Sequence, residues 1–196
     1  NKTLHAVLLG RPYTVLVPSM NKGILDIFAA LGVKTFYQDM LTYTSEDVLA
    51  IAPLLEAVHW HHAARILEAA EVVARTNSAY PALVTAFKCT PDSFVIDNFK
   101  KVMAAHDKPF LILQLDEHDS NVGYETRIEA AIRSFKNHHD TVRVKKVSEQ
   151  DYPFSWKAIP KNRLADKTLV IPNWDHLSLS LVVANLRREG IDARLL

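Results

Sequence analysis

Tyr80-Pro81-Ala82-Leu83-Val84-Thr85-Ala86-Phe87, followed at once by Lys88-Cys89-Thr90-Pro91-Asp92-Ser93-Phe94, decides how this chain is read. The first run is apolar and reads as a buried strand. From Phe94 to His106, Val95, Phe99, Val102 and Met103 recur at helical spacing, so the second run opens an amphipathic helix. Thr90 suits the N-cap, Pro91 the first helical position, and Asp92 complements the positive end of the helix dipole. Cys89 is the only cysteine in the chain. It is expected at this strand-to-helix turn, just ahead of unpaired backbone N–H groups. That setting favours thiolate over thiol.

On the N-terminal side, His5 to Leu9 reads as a buried strand, turned by Gly10-Arg11-Pro12-Tyr13. Asn21 is placed to cap a helix over 22–31, with Ile24, Ile27, Phe28 and Leu31 on one face and Gly32 as its stop. Val33 to Tyr37 is a second strand. Such a β-loop-α-β unit normally makes a parallel sheet. Ser45-Glu46-Asp47 starts a helical stretch interrupted by Pro53. A longer helix over about 56–75 buries Ala63, Ile66, Leu67, Ala70, Val73 and Ala74 and leaves Glu68, Glu71 and Arg75 outside. On the C-terminal side, Phe110 to Leu115 reads as a central parallel strand by its unbroken apolar character. A helix over about 122–137 follows. The segment 140–167 is mixed and irregular, with Val142-Arg143-Val144 as a short strand. Then come a strand at 168–171, a helix capped by Asp175 or Ser178 and stopped by Gly190, and a strand at 191–195.

The order strand, proline-bearing loop, helix, glycine, strand thus occurs at 5–37 and again at 168–195. A repeat of this length points to a duplicated α/β unit. The expected organisation is an α/β domain over 1–140, a linker over 141–167, and the start of a second, similar unit over 168–196. The second unit is either truncated or lends a strand to the first sheet. A chain that begins at Asn1 is read as a piece of something longer.

The formal net charge is +1 with no acidic or basic block, which argues against a nucleic-acid or anionic-membrane footprint. No apolar stretch reaches spanning length. One cysteine excludes an intrachain disulfide framework, so a reducing, cytoplasmic setting is expected.

In an open parallel sheet, ligands gather beyond the carboxyl ends of the strands. Four loops are expected there: Gly10-Arg11-Pro12-Tyr13, Gln38-Asp39, the Cys89 turn, and Asp116-Glu117-His118-Asp119. Cys89 reads either as a metal or cluster ligand or as an inert buried thiol. An iron–sulfur cluster takes about four cysteines, so its other ligands must come from another domain or subunit, or be residues other than cysteine. Asp116-Glu117-His118 reads as an acid–base set or as a helix cap on a solvated strand end. His59-Trp60-His61-His62 puts His59 and His62 on one face if helical. Without a His-Glu-x-x-His pattern it reads better as a surface or interface group. Trp156 and Trp174 are expected to pack a domain junction. Gly-x-Gly-x-x-Gly, Walker A and Gly-x-Ser-x-Gly patterns are absent. Lys22-Gly23 offers a weak anion site at a helix start.

Leu9-Gly10-Arg11-Pro12-Tyr13, Asn21-Lys22-Gly23-Ile24, the Phe87–Phe94 motif, and Leu115-Asp116-Glu117-His118-Asp119 with Glu125-Thr126-Arg127-Ile128-Glu129-Ala130 together resemble the CoA-substrate-specific enzyme activase-related family. These proteins are also described as 2-hydroxyglutaryl-CoA dehydratase activator-like, and they look like relatives of the cluster-carrying subunits of 2-hydroxyacyl-CoA dehydratases. The resemblance runs in order through roughly the first 140 residues. It implies Rossmann-like α/β domains and Cys89 as a [4Fe-4S] ligand, with Pro91, Asp92 and Ser93 shaping its loop. It also implies a strand-end motif of Asp116, Glu117, His118 and Arg127, with Arg11 and Tyr13 lining the same end. The implied role is a domain of an acyl-CoA dehydratase or activase system, inactive as this piece alone, working with other domains of its parent or with a dehydratase or activase partner. The alternatives are a ligand- or partner-binding domain in which Cys89 is structural, and a thiol enzyme using Cys89 with His118 and Asp116.

Overall fold

The computed structural model describes residues 4–86, 90–116, 121–141, 147–152 and 166–196. The chain divides into two compact units, Asn1–Phe154 and Ser155–Leu196.

In the first unit, β1 (His5–Gly10), β2 (Lys34–Tyr37), β3 (Ala79–Thr85) and β4 (Leu111–Gln114) form one sheet in the order β2-β1-β3-β4. Every pairing is parallel, with Val7 opposite both Phe36 and Pro81, and Leu83 opposite Ile112. Helices α1 (Pro12–Val15) and α2 (Ile24–Ala30) connect β1 to β2. Helices α3 (Ala52–Ala57) and α4 (His61–Arg75) connect β2 to β3. Helix α5 (Thr90–Ala105) connects β3 to β4, and α6 (Asn121–Thr141) follows β4. This is the expected mainly parallel, Rossmann-like α/β architecture.

The inner strands β1 and β3 look almost uniformly apolar because both faces of the sheet are covered there. Their side chains nonetheless alternate between two cores, as the pleat requires. Val7, Leu9 and Leu83 join Leu67, Ala70 and Val73 of α4 and Phe99, Val102 and Met103 of α5. Ala6, Leu8, Ala82 and Val84 join Ile24 and Phe28 of α2 and Ile128, Ile132 and Phe135 of α6. Phe28, Phe99 and Phe135 are completely enclosed; each such ring contributes about 2 to 3 kcal/mol by leaving water. Pro81 has no N–H for a ladder, and β4 pairs with β3 only from Ala82 onward.

Several sequence expectations change. Pro53 does not interrupt a helix. It opens one, as the second residue of α3, because a missing N–H costs nothing in a first turn. The helix expected from residue 56 begins at His61 instead, since Val58 and Trp60 are extended. Asn21 does not cap α2. Its Oδ1 accepts from the Gly23 N–H, two residues on, in a local turn, and Gly23 occupies the cap position. Thr90 is the first helical residue of α5, one place later than a cap. Strand β4 stands last in the sheet order among the described residues, rather than central. Val142-Arg143-Val144 lies outside the described residues.

The second unit contains β5 (Leu169–Ile171), α7 (His176–Arg188) and β6 (Ala193–Leu195). Strands β5 and β6 pair in parallel on either side of α7 in the sequence, which gives the strand, helix, strand order expected there. Asp175 caps α7 by accepting from the Ser178 N–H, and hydrogen bonds from the Ser178 side chain and then its backbone hold the Asp175 carboxyl below the usual carboxylate range. Within this unit Leu179 and Val183 are buried and Trp174 is 77% exposed.

Candidate functional site

The strand order creates one distinctive place. The chain leaves β1 for β2 on one side, then returns through α4 to β3 on the other side of β1. The connections therefore diverge at the carboxyl ends of β1 and β3. In doubly wound sheets that divergence opens the ligand-binding crevice.

The two strand ends approach closely here. Gly10 ends β1 opposite Val84. A Cβ at Gly10 would lie 2.5 Å from the Val84 carbonyl oxygen and 2.6 Å from Cγ2 of Val15. The Gly10 N–H donates to Oε1 of Gln38, at 3.0 Å, from the turn that ends β2. Gln38 is buried and fixes the β1 exit from the side.

Arg11 follows immediately. Its guanidinium donates to Oδ1 of Asp92 at 2.5 Å and to the Tyr13 hydroxyl at 3.0 Å. Burial opposes that charge, but the hydrogen bonds to Tyr13 and Asp92 and the Asp92 charge outweigh it and hold the Arg11 pKa above its ordinary value. Asp92 sits in the first turn of α5, and its other oxygen accepts from the Thr85 hydroxyl at 3.3 Å. The pair thus ties the end of β1 to the start of α5, with the last residue of β3 beneath it. Arg11 keeps 27% of its side chain exposed and Asp92 keeps 10%.

Of the residues expected at this end, the structure brings together Arg11, Tyr13 and Asp92. Ser93 is exposed on α5. Arg127 is exposed on α6 and makes no ion pair among the described residues. Asp116 is exposed just past β4, and its N–H donates to the hydroxyl of buried Tyr124 at 3.2 Å. Cys89, Glu117 and His118 lie outside the described residues, as does Trp156. The histidine run has no shared helical face for His59 and His62, because α4 starts only at His61. Instead Trp60 packs edge-on against Phe94 in the first turns of α5, with ring centroids 5.8 Å apart. Among the described residues no group of three or more His, Cys, Asp or Glu side chains could hold a metal ion. With a single cysteine, this chain cannot by itself supply the thiolates of a [4Fe-4S] cluster.

Three features escaped the sequence reading. Thr85 completes the polar frame of the crevice, beside Gln38 from the expected Gln38-Asp39 loop. A second polar cluster lies inside the core shared by α4 and α5. There Oε2 of Glu71 takes hydrogen bonds from Nε2 of His106, at 3.1 Å, and from the Tyr152 hydroxyl. Glu71 is fully buried, not outside as expected. It stands four residues from Leu67 and three from Ala74 on the inward face, a spacing that could have revealed it. Tyr152, read as linker, is buried in the same core, and burial followed by its bond to Glu71 pushes its hydroxyl pKa up. Lys108, on the turn into β4, is also buried. Its ammonium donates to the Thr76 carbonyl and lies 4.2 Å from the centre of the Tyr80 ring.

Among the described residues, no helix is long and apolar enough to cross a membrane. Comparison of the chain with protein-family models, curated proteins and solved structures found no match.

Proposed function

We propose that this chain is an accessory α/β domain of an acyl-CoA dehydratase or activase-type system in the cytoplasm. Its ligand-binding end is the crevice beyond β1 and β3. Cys89 gives one thiolate there to a [4Fe-4S] cluster whose other ligands come from outside this chain. The observation that carries the reading is the helix start. Thr90, the residue after Cys89, opens a 16-residue helix at the carboxyl end of a parallel sheet, one turn from the Arg11–Asp92 pair. A helix start lowers a neighbouring thiol's pKa, and a switch point is where such sheets bind their ligands. Glu117, His118 and Arg127 belong in this reading to the strand-end motif, with Asp116 beside them.

A second reading keeps Cys89 structural and makes this end a docking face for a partner. Tyr13, Met20, Met40 and Trp60 favour it: all four are exposed, and aromatic residues and methionine are enriched at interfaces.

Anaerobic reconstitution of the full-length parent protein with iron and sulfide separates the two. Wild type is expected to take up iron, and Cys89→Ser to lose most of it while still folding, as judged by circular dichroism. Equal iron in both proteins overturns the cluster role. Partner binding that survives the substitution would then stand as the function.

A further inference from the structure

Among the described residues, little open space is left at the switch-point crevice. Beneath the Arg11–Asp92 pair, the space lined by Gly10, Thr14, Thr85 and Ile96 amounts to about 10 Å³. That is at most room for one water molecule. The Arg11–Asp92 pair borders this space. Parting the pair costs Arg11 a charge-assisted hydrogen bond. An incoming oxyanion that takes the place of the Asp92 carboxylate offsets that loss. Arg11 suits that exchange. Its planar fork accepts a carboxylate or a phosphate with two parallel bonds, and Tyr13 supplies a neighbouring hydroxyl.

We propose that this crevice binds the phosphate or carboxylate group of a small molecule, which displaces Asp92 from Arg11, so that Asp92 is an internal stand-in for the ligand. This rests on the crevice being the ligand-binding end of the sheet. It goes further by naming the chemistry that enters and the contact that must break. Asp92 lies in the first turn of α5, three residues after Cys89. Anion binding therefore releases the tie between the end of β1 and the first turn of α5.

The experiment uses the full chain without iron, titrated separately with inorganic phosphate and with acetate, and with chloride as the ionic-strength control. Amide resonances of Gly10 and Thr85 should move saturably with one of the two anions and not with chloride. Saturation by phosphate assigns a phosphate ester, and saturation by acetate a carboxylate. Asp92→Asn removes the internal competitor and should bind that anion about tenfold more tightly, equivalent to about 1.4 kcal/mol. Arg11→Gln should weaken binding at least tenfold. If neither anion moves these resonances, or if Asp92→Asn binds no more tightly, the proposal fails. Should Asp92→Asn not fold, wild type decides alone: the Asp92 carboxylate carbon must shift with the same midpoint as the Gly10 amide, and an unmoved carboxylate overturns the exchange. Because iron is absent throughout, loss of iron in Cys89→Ser without anion binding would sink only this inference. Anion binding with iron uptake unchanged by Cys89→Ser would sink only the cluster role.

Discussion

At the carboxyl end of the four-stranded sheet, Arg11 and Asp92 meet between a loop and a helix start, and Arg11 stays open to solvent while Asp92 is buried. At the amino end, where α5 finishes, Glu71, His106 and Tyr152 meet with almost no exposed surface. Both are charged or polar clusters bridging distant parts of the chain, yet they do different work. A pair that keeps access to solvent can exchange partners. An enclosed cluster cannot, since each group that loses its partner pays the full cost of an unsatisfied buried charge or dipole. The amino-end cluster is therefore a structural clasp, fixing 147–152 against α4 and α5, while the carboxyl-end pair is poised for exchange.

The sharpest way to break this contrast is Glu71→Ala. It removes the acceptor that His106 and the Tyr152 hydroxyl share, leaving them only each other at 2.9 Å in the core, and should cost about 3 to 5 kcal/mol in urea unfolding. Glu71→Gln, which keeps the shape and an acceptor, should cost clearly less. A loss below about 1 kcal/mol for Glu71→Ala would mean that the cluster is not a clasp, and the comparison would fall. Gly10→Ala comes next. The added methyl meets a backbone carbonyl that cannot move aside, so about 2 kcal/mol should be lost. Here the sharper readout is local. The Thr85 and Asp92 resonances should shift strongly in Gly10→Ala and stay in place in those Glu71→Gln molecules that fold.

The same contrast governs what could be read from the sequence. Strands and helices on the carboxyl side announce themselves locally: the apolar run from Tyr80 to Phe87, the Thr90-Pro91-Asp92 helix start and the Arg11-Pro12 turn are each contiguous signals. Their meeting follows once a parallel sheet is accepted, because all strand ends then face one way. Whether Arg11 reaches Asp92 does not follow, as 81 residues separate them and the strand order decides it. The amino-end clasp is harder still. Its members lie 35 and 81 residues apart, and one of them, Tyr152, sits in a stretch of irregular composition. Charged residues are assigned to helix exteriors by default, which hid Glu71 even though its spacing from Leu67 and Ala74 put it inside. Among the described residues, the central position expected for Phe110–Leu115 fails for a related reason. An unbroken apolar run reports burial on both faces, not rank in the sheet.

Lys108 gives the smallest effect and tests the amino end by pH. Burial lowers its pKa from 10.5 to about 8. Its surroundings are the Tyr80 ring, the Thr76 carbonyl and, from α6, His138 with Asp140 acting on Tyr80. Tyr80 itself is pushed up to about 12, mainly by burial, so it stays neutral over the relevant range. Between pH 8 and 10.5 the unfolded chain still holds the lysine proton that the folded chain has released. Stability from this group therefore rises with pH across that window and is lowest below it, where the folded protein must carry the buried charge. Lys108→Met removes the charge but also the bond to Thr76 and the contact with the ring, so at pH 7 the two proteins should differ by no more than about 1 kcal/mol. The variant should lack the wild-type rise, and the difference between the two urea-unfolding profiles from pH 7 to 10 isolates it from other titrating lysines. His138 offers a second readout. Burial first, and then the Lys108 charge, depress its pKa, so Lys108→Met should let it climb, visible in the imidazole proton shifts. Parallel pH profiles together with an unmoved His138 would mean that the ammonium is better solvated than its enclosure implies, and the amino end would then lose its claim to be the closed side of the sheet.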